Sequence, residues 1–249
     1  MIRNTPIRSC LSALSCKFEE RRMITLENVS KTFTLHNQGG AVIEAIADVS
    51  LSVTPGECGA LTGAAGAGKS TLIRLIYGNY LAKTGTIHVG DLEITRANPH
   101  DIIALLRDTL VYVSQFLRVV PRVPTLDVVA EPLRAIGRPA DNAKERAAEL
   151  LTRLNIPQTL WSLSPTTFSG GEQQRGNIAR GFAHPYPALL LDEPTASLDG
   201  SNREVVLDLI QEAKRRGAAI IGIFHDEIAR AQVCDREIDV SSFTVGKAA

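Results

Sequence analysis

A glycine-rich run at residues 63–70, Gly-Ala-Ala-Gly-Ala-Gly-Lys-Ser, has the residue types and spacing that bind phosphate groups. Glycine allows successive backbone N–H groups to turn toward phosphate oxygens, and the N-terminus of a following helix adds unbonded donors. Lys69 is long enough to reach the β- and γ-phosphates of a nucleotide, and the Ser70 hydroxyl is a ligand for Mg²⁺. The run follows an apolar segment, residues 58–62, and opens a helical pattern, so we predict a P-loop in a strand–loop–helix unit.

A second candidate for chemistry is the acidic pair Asp192-Glu193, which ends an apolar strand pattern at residues 187–191. At the end of such a strand Asp192 can hold Mg²⁺, partly through water, and Glu193 can orient or deprotonate an attacking water. Taken alone, an Asp-Glu pair after a strand is usually a solvated loop. Together with a P-loop it predicts hydrolysis of a nucleoside triphosphate.

Residues 168–175, Phe-Ser-Gly-Gly-Glu-Gln-Gln-Arg, narrow the class of nucleotide-binding protein. This run resembles the signature of ATP-binding cassette (ABC) proteins, usually Leu-Ser-Gly-Gly-Gln, with Glu172 where glutamine is usual. A serine and two glycines at a helix N-terminus make a second anion site. The resemblance implies that this site caps the γ-phosphate held by the P-loop of a partner subunit. The alternative is an ordinary helix cap at Ser169.

Further positions are similar to the same family, in the same order along the chain. By resemblance, Phe33 stacks on adenine, and Gln115 senses Mg²⁺ and the attacking water. Residues 197–199, Ser-Leu-Asp, match the loop that crosses the dimer interface, and His225 matches the histidine that contacts the γ-phosphate. The resemblance covers about residues 23–240.

These motifs and resemblances give the predicted site by role. The predicted catalytic residues are Glu193, His225 and Gln115. The predicted ligands of Mg²⁺ are Ser70, Gln115 and Asp192. The residues predicted to bind ATP are Phe33, Gly63, Ala64, Ala65, Gly66, Ala67, Gly68, Lys69, Ser70, Thr71, Ser169, Gly170, Gly171, Glu172 and Asp199.

The elements that position these residues alternate between strand and helix patterns, which predicts an α/β fold. Apolar residues recur at helical spacing on one stripe (Ala143, Ala147, Leu150, Leu151 and Leu154), and we interpret this stripe as packing. Ser201 and Glu204 predict a capping box for a helix that ends near Arg216. The family resemblance adds a P-loop NTPase cassette with a RecA-like core and mixed sheet. It also adds a small antiparallel β subdomain and an α-helical subdomain at about residues 116–168.

The length of 249 residues allows one large domain. We predict an N-terminal extension at residues 1–22, either disordered or a misassigned start, a cassette at 23–243 and a tail at 244–249. Lys+Arg and Asp+Glu both number 27, so the formal net charge is zero and we expect no direct binding to nucleic acid. Four cysteines without a Cys-x-x-Cys pair predict unlinked thiols in a reducing cytosol.

The partner is the part of the function on which the motifs leave alternatives. Residues 113–122, 151–157, 166–175 and 222–227 are together similar to the PhnL-type ABC subunits of the bacterial carbon–phosphorus lyase system for phosphonate use. That resemblance implies a cytoplasmic carbon–phosphorus lyase core complex as partner, and a homodimer or a heterodimer with a PhnK-like subunit. The alternative is the ATPase motor of a transporter, of the lipoprotein-release or macrolide-export type. There a membrane permease would be the partner and would hold the chain at the inner membrane, because no apolar run approaches the ~18–20 residues that span a bilayer.

Overall fold

The computed structural model describes residues 22–35, 40–115 and 121–243, and its strands form two sheets. The strands are β1 (Ile24–Leu35), β2 (Ala41–Val53), β3 (Cys58–Thr62), β4 (Thr84–Val89), β5 (Leu92–Glu93), β6 (Leu110–Val113), β7 (Ala188–Asp192), β8 (Ala219–Ile223) and β9 (Arg236–Asp239). The α-helices are α1 (Lys69–Ile76), α2 (Pro99–Asp108), α3 (Thr125–Ala135), α4 (Ala140–Arg153), α5 (Gly170–Gly181), α6 (Gly200–Arg215) and α7 (Glu227–Val233). Short 3₁₀ turns cover Gln158–Leu160, Pro165–Thr167 and Val240–Phe243. Apart from Arg22, the predicted extension and tail lie outside the described residues.

A parallel sheet in the order β6-β7-β8-β3-β9 carries the centre of the fold. Every residue of β7 and β8 is buried, because helices cover one face of the sheet and the second sheet covers the other. Successive residues of β7 point to opposite faces. Leu189 and Leu191 pack in the cluster that contains α5 and α6, whereas Leu190 packs in the cluster that contains β1, β2 and α1.

The second sheet is antiparallel and has the order β2-β1-β4-β5. Its longest pairing, between β1 and β2, contains register shifts between Leu26 and Thr32. The sheet lies against α1, so that Ile46 of β2 is close to the loop that precedes this helix. The α/β interpretation of the sequence is therefore confirmed.

Helices α3 and α4 pack on each other and against α5. The predicted packing stripe is confirmed, because all its members, listed above, have no exposed surface. Arg153 at the end of α4 joins Glu212 of α6 through two hydrogen bonds of 2.9 and 2.7 Å, which link α4 to α6. Within the described ranges, no helix is both long and apolar enough to cross a membrane.

The predicted capping box at Ser201 and Glu204 is wrong. Helix α6 begins two residues earlier than expected from Ser201, and its cap is Asp199, whose carboxylate accepts a 2.8 Å hydrogen bond from the Asn202 N–H. The Ser201 hydroxyl donates to the same carboxylate at 2.9 Å. A charged carboxylate is the stronger acceptor for the N–H groups at a helix N-terminus, so it outcompetes the hydroxyl.

Substitution of Gly181 tests how closely α5 packs on the sheet. A Cβ atom at this position would lie 2.3 Å from a methyl carbon of the buried Val113, so we expect Gly181→Ala to lower the free energy of unfolding by about 1–3 kcal/mol. The control is Gly200→Ala in α6, where a Cβ atom meets nothing within 4 Å, and we expect no loss there. Urea denaturation followed by circular dichroism measures both. Equal midpoints for the two variants would refute the close packing.

Candidate nucleotide-binding site

The glycine-rich loop joins β3 to α1 and leaves the N-terminus of α1 without a side-chain cap. Gly63, Gly66 and Gly68 have φ values of +123°, +81° and +95°, which only glycine adopts without strain. The first turn of α1 contains no acidic residue, so no carboxylate competes for its N–H groups. This geometry suits a bound phosphate group.

Lys69 lies folded over its own loop. Its Nζ donates hydrogen bonds of 2.7 and 3.0 Å to the carbonyl oxygens of Gly63 and Ala64. The ammonium group is therefore held at the mouth of the loop that the sequence assigns to phosphate. Ser70 and Thr71 follow in the first turn of α1.

Four predicted residues from separate parts of the chain line one cleft of about 600 Å³: Ser70, Gln115, Asp192 and Glu193. Ser70 lies on α1, Gln115 follows β6, and the acidic pair ends β7. The hydroxyl, amide and carboxylate oxygens of this set are the donors that Mg²⁺ prefers. The chain therefore brings together the predicted metal ligands and the predicted base.

The Glu193 side chain has polar contacts with two other side chains. Its carboxylate lies 2.7 Å from Nε2 of His225 and accepts a 3.2 Å hydrogen bond from Nε2 of Gln115. Its backbone has a left-handed φ of +54°, and its N–H donates to the carbonyl of Ile223 on β8. All three predicted catalytic side chains thus meet at one carboxylate.

Asp192 is buried at the end of β7, and one of its carboxylate oxygens accepts a 2.8 Å hydrogen bond from the Tyr112 hydroxyl. Burial raises the pKa of Asp192 because it disfavours the charged form, and the neighbouring Glu193 raises it further, while Tyr112 opposes the shift. A cation next to Asp192 would reverse this penalty. The carboxylate is thus in an environment that favours a positively charged ligand.

The second glycine run lies at the N-terminus of α5, as predicted. Ser169 is the N-cap of this helix, and it forms a capping box with Glu172, whose carboxylate accepts from the Ser169 N–H at 2.9 Å and from its hydroxyl at 2.6 Å. The ordinary cap that we considered as the alternative for Ser169 is therefore present. Ser169 and Gly170 are exposed, and Gly171 lies beside the carbonyl of Ser197.

Phe33 is the predicted site residue that the structure places least directly. Its ring lies edge-on to Tyr80 with 5.3 Å between centroids, and Nζ of Lys31 lies 5.0 Å from the ring centre. Tyr80 comes after the C-terminal end of α1 and accepts a 3.0 Å hydrogen bond from Arg74 of that helix. Neither of the two ring contacts joins Phe33 to the phosphate loop.

Sequence reasoning missed three side chains that hold the cleft in place: Tyr112, Gln174 and Asn177. Asn177 of α5 donates a 2.6 Å hydrogen bond to the Ser114 carbonyl next to Gln115, and Gln174 donates to the Glu193 carbonyl at 3.4 Å. Both amide residues are buried. Buried polar side chains are usually hydrogen-bonded, so an amide at a buried position of α5 could have indicated this role from the sequence. The role of Tyr112 depends on β6 and β7 being neighbours, which no local pattern shows.

Comparison with known proteins identifies the family. The profile of the family described as "ABC transporter" matches residues 46–196, more than half of the chain. The chain belongs to the ABC transporter family. The cassette is 33% identical to the lipoprotein-releasing system ATP-binding protein LolD of Idiomarina loihiensis over 82% of this chain and 88% of that protein. It is 39% identical to the methionine import ATP-binding protein MetN of Caulobacter vibrioides over 86% of this chain, but it spans only 63% of that protein.

Solved structures confirm the predicted cassette fold. The chain superposes with a TM-score of 0.80 and 26% identity on the ATP-binding cassette MJ0796, a dimeric structure of a post-hydrolysis state bound to ADP and Pi. The match covers 88% of this chain and 95% of that one. The P-loop, the acidic pair and the signature of this cassette therefore lie in a fold that is known to bind nucleotide in MJ0796.

Removal of the Asp192 charge is expected to stabilise the ligand-free cassette. Since burial raises the pKa of Asp192, its charged form opposes folding at neutral pH, and Asp192→Asn removes that penalty while it keeps an acceptor for Tyr112. We expect an increase in melting temperature of about 2–4 °C, typical of relieved strain at a functional site.

The stability difference between Asp192→Asn and wild type should depend on pH. A raised pKa means that the folded state binds the proton more tightly, so the stability difference between Asp192→Asn and wild type is full at neutral pH and disappears as pH falls below the unfolded pKa. The control is Asp239→Asn, because hydrogen bonds from Ser241 lower the pKa of Asp239, and there we expect no gain in stability. Equal melting temperatures of Asp192→Asn and wild type at neutral pH would contradict the prediction.

Proposed function

We propose that this chain is the ATP-hydrolysing motor subunit of an ABC transporter and works as one half of a nucleotide-sandwich dimer. The observation that carries the proposal is the meeting of four elements at one cleft. There the P-loop helix supplies Ser70, β6 leads to Gln115, β7 ends in Asp192-Glu193, and β8 is followed by His225. A surface built only for packing would not bring a hydroxyl, an amide, two carboxylates and an imidazole to one place.

The residues fit Mg·ATP in the following roles. Residues 63–71 hold the phosphates through backbone N–H groups, with Lys69 reaching the β- and γ-phosphates. Ser70, Asp192 and Gln115 would supply oxygen ligands to Mg²⁺, and the bound ion would neutralise negative charge on the phosphates. Glu193 orients and deprotonates the attacking water, and His225 and Gln115 fix the direction of its carboxylate.

A second copy of a cassette completes the site. Ser169, Gly170 and Gly171 present the exposed N-terminus of α5, and these residues are not among those that line the Ser70–Glu193 cleft of their own chain. An exposed helix N-terminus suits the γ-phosphate of a nucleotide bound by another subunit. Asp199 caps α6, and the Ser197 carbonyl lies beside Gly171, so residues 197–199 and the signature are neighbours.

Partner identity separates two hypotheses. The relatives named above are ATP-binding proteins of methionine import and of lipoprotein release. Their names favour a permease, supplied by another chain, that keeps this subunit at the membrane. Association with the carbon–phosphorus lyase core remains a second hypothesis. It depends on the resemblance of residues 113–122 and of the other segments given above, and residues 116–120 lie outside the described part of the chain.

Affinity purification tests both hypotheses. A tagged full-length chain is purified from cells grown with phosphate and from phosphate-starved cells, in mild detergent, with Glu193→Gln as a variant that holds ATP. Recovery of an integral membrane permease supports the transporter function, and recovery of carbon–phosphorus lyase core subunits only after phosphate starvation supports the second. Absence of ATP hydrolysis in every recovered complex would refute the motor function itself.

A further inference from the structure

Two cysteines that are 176 positions apart in the sequence meet at the end of β3 that is opposite to the phosphate loop. Cys58 is the first residue of β3, and Cys234 follows the last residue of α7. Their sulfur atoms are 3.5 Å apart, and both thiols are free. Cys58 is completely buried, whereas Cys234 is partly exposed.

The backbone around both cysteines is fixed by contacts that do not involve sulfur. The Asp235 N–H donates to the Cys58 carbonyl at 2.8 Å, and the Cys58 N–H donates to the Asp235 carboxylate at 2.7 Å. Nζ of Lys214 on α6 donates to Asp235 at 2.9 Å and to the Val233 carbonyl at 2.6 Å. The pairing of β3 with β9 therefore places the two thiols side by side.

We propose that Cys58 and Cys234 are a redox modification site that forms a reversible intramolecular disulfide with small-molecule disulfides such as oxidised glutathione. The sulfur atoms are already in contact, so bond formation at ~2.05 Å requires side-chain rotation and small backbone adjustments. The site does not use the nucleotide-binding residues, and it stands whether or not the proposed function is correct.

The reaction proceeds by two thiol–disulfide exchanges. The Cys234 thiolate attacks one sulfur of the small disulfide, which releases one small thiol and leaves a mixed disulfide on Cys234. The Cys58 thiolate then attacks the Cys234 sulfur and releases the second small thiol. The protein loses two thiol protons and two electrons, and the small disulfide gains them as two thiols.

Exposure decides the order of the two attacks. Cys234 is the entry thiol because a reagent can reach it. A reagent in solution cannot reach Cys58, which is completely buried, so its thiol reacts only with the neighbouring sulfur of Cys234. We therefore expect Cys234 to form the mixed disulfide, and Cys58 to convert it into the intramolecular disulfide.

A bond between Cys58 and Cys234 closes a very long loop and should therefore stabilise the chain. It joins β3, which leads into the phosphate loop, to the segment after α7, which follows His225. We expect the oxidised form to melt about 5–10 °C above the reduced form.

The test uses the full-length protein with Cys10→Ser and Cys16→Ser, so that only the pair remains. The folded protein is incubated with oxidised glutathione, blocked with an alkylating reagent and mapped by non-reducing peptide mass spectrometry. We expect a linked Cys58–Cys234 peptide, loss of both free thiols, and a rise in melting temperature that dithiothreitol reverses.

Two single variants separate the proposal from simple surface oxidation. Cys58→Ala should stop at a stable glutathione adduct on Cys234, and Cys234→Ala should leave Cys58 unmodified. An adduct on Cys234 that persists in the presence of Cys58, or a folded pair that remains fully reduced under these conditions, would overturn the proposal.

Discussion

Glu193→Gln is expected to lower ATP turnover by about 10²–10⁴-fold, the usual contribution of a positioned general base, while ATP binding remains. The glutamine side chain has the shape of glutamate and can keep a hydrogen bond with Gln115, but it cannot accept the proton of the attacking water. We expect that His225, whose Nε2 lies 2.7 Å from this carboxylate, does not replace it as the base. In the proposed function hydrolysis reopens the dimer, so we expect the variant to accumulate as an ATP-bound dimer.

Phosphate release by the purified complex and size-exclusion chromatography with ATP measure the two parts of this result. Glu237→Gln is the control, because Glu237 is an exposed glutamate on β9 whose contact is an ion pair with Arg230 at 2.8 Å. The control should keep wild-type turnover. Wild-type turnover in Glu193→Gln would exclude Glu193 as the base.

Gly68→Ala is expected to weaken ATP binding by about 10–100-fold more than Gly66→Ala does. Both glycines lie in the same loop with positive φ, so an alanine at either position carries a similar backbone penalty. They differ in their surroundings: a Cβ atom on Gly68 would lie 2.8 Å from the backbone oxygen of Ala45, whereas one on Gly66 meets nothing within 4 Å. An overpacked contact of about 1–3 kcal/mol corresponds to this range of affinity, because each 1.4 kcal/mol is tenfold.

Isothermal titration with ATP and Mg²⁺ measures both affinities, and a thermal melt of each variant gives the folded fraction. Affinity per folded molecule is the quantity to compare, so that a general loss of stability is not taken for a change in the loop. Similar affinities for the two alanine variants would show that Ala45 does not constrain the loop.

Local patterns predicted the elements whose residues interact mainly with their own neighbours in sequence. The limits of β3 agree with the predicted segment 58–62 at every residue, because a short, mainly apolar run that ends at a glycine-rich loop leaves little choice. Strand β1 has no such simple limits, since it continues through polar residues and through register shifts in its pairing with β2. Strand length there is set by pairing with β2, which the sequence of β1 does not contain.

The residues of the candidate site were likewise predictable only where their role depends on local sequence. Residues such as Lys69, Asp192 and Glu193 were predictable because chemistry requires them at fixed places beside a loop or a strand end. The hydroxyl of Tyr112 and the pairing of Cys58 with Cys234 were not, because they depend on which strands are neighbours in the sheet. The expected unlinked thiols are confirmed for Cys58 and Cys234, which are both free. Their contact with each other was not predictable, because residues far apart in sequence can be neighbours across a parallel sheet.

Because of the position of Lys69, we expect nucleotide binding to require this side chain to exchange its hydrogen-bond acceptors. Its ammonium group already donates to two carbonyl oxygens of the loop, so arriving phosphates must compete with the protein for the same charge. When the lysine turns to the nucleotide, those carbonyls must find water or rearrange. The free energy of ATP binding is therefore the difference between the hydrogen bonds that Lys69 makes with phosphate and those that it makes with the loop. In the ligand-free protein these bonds stabilise the conformation of the loop.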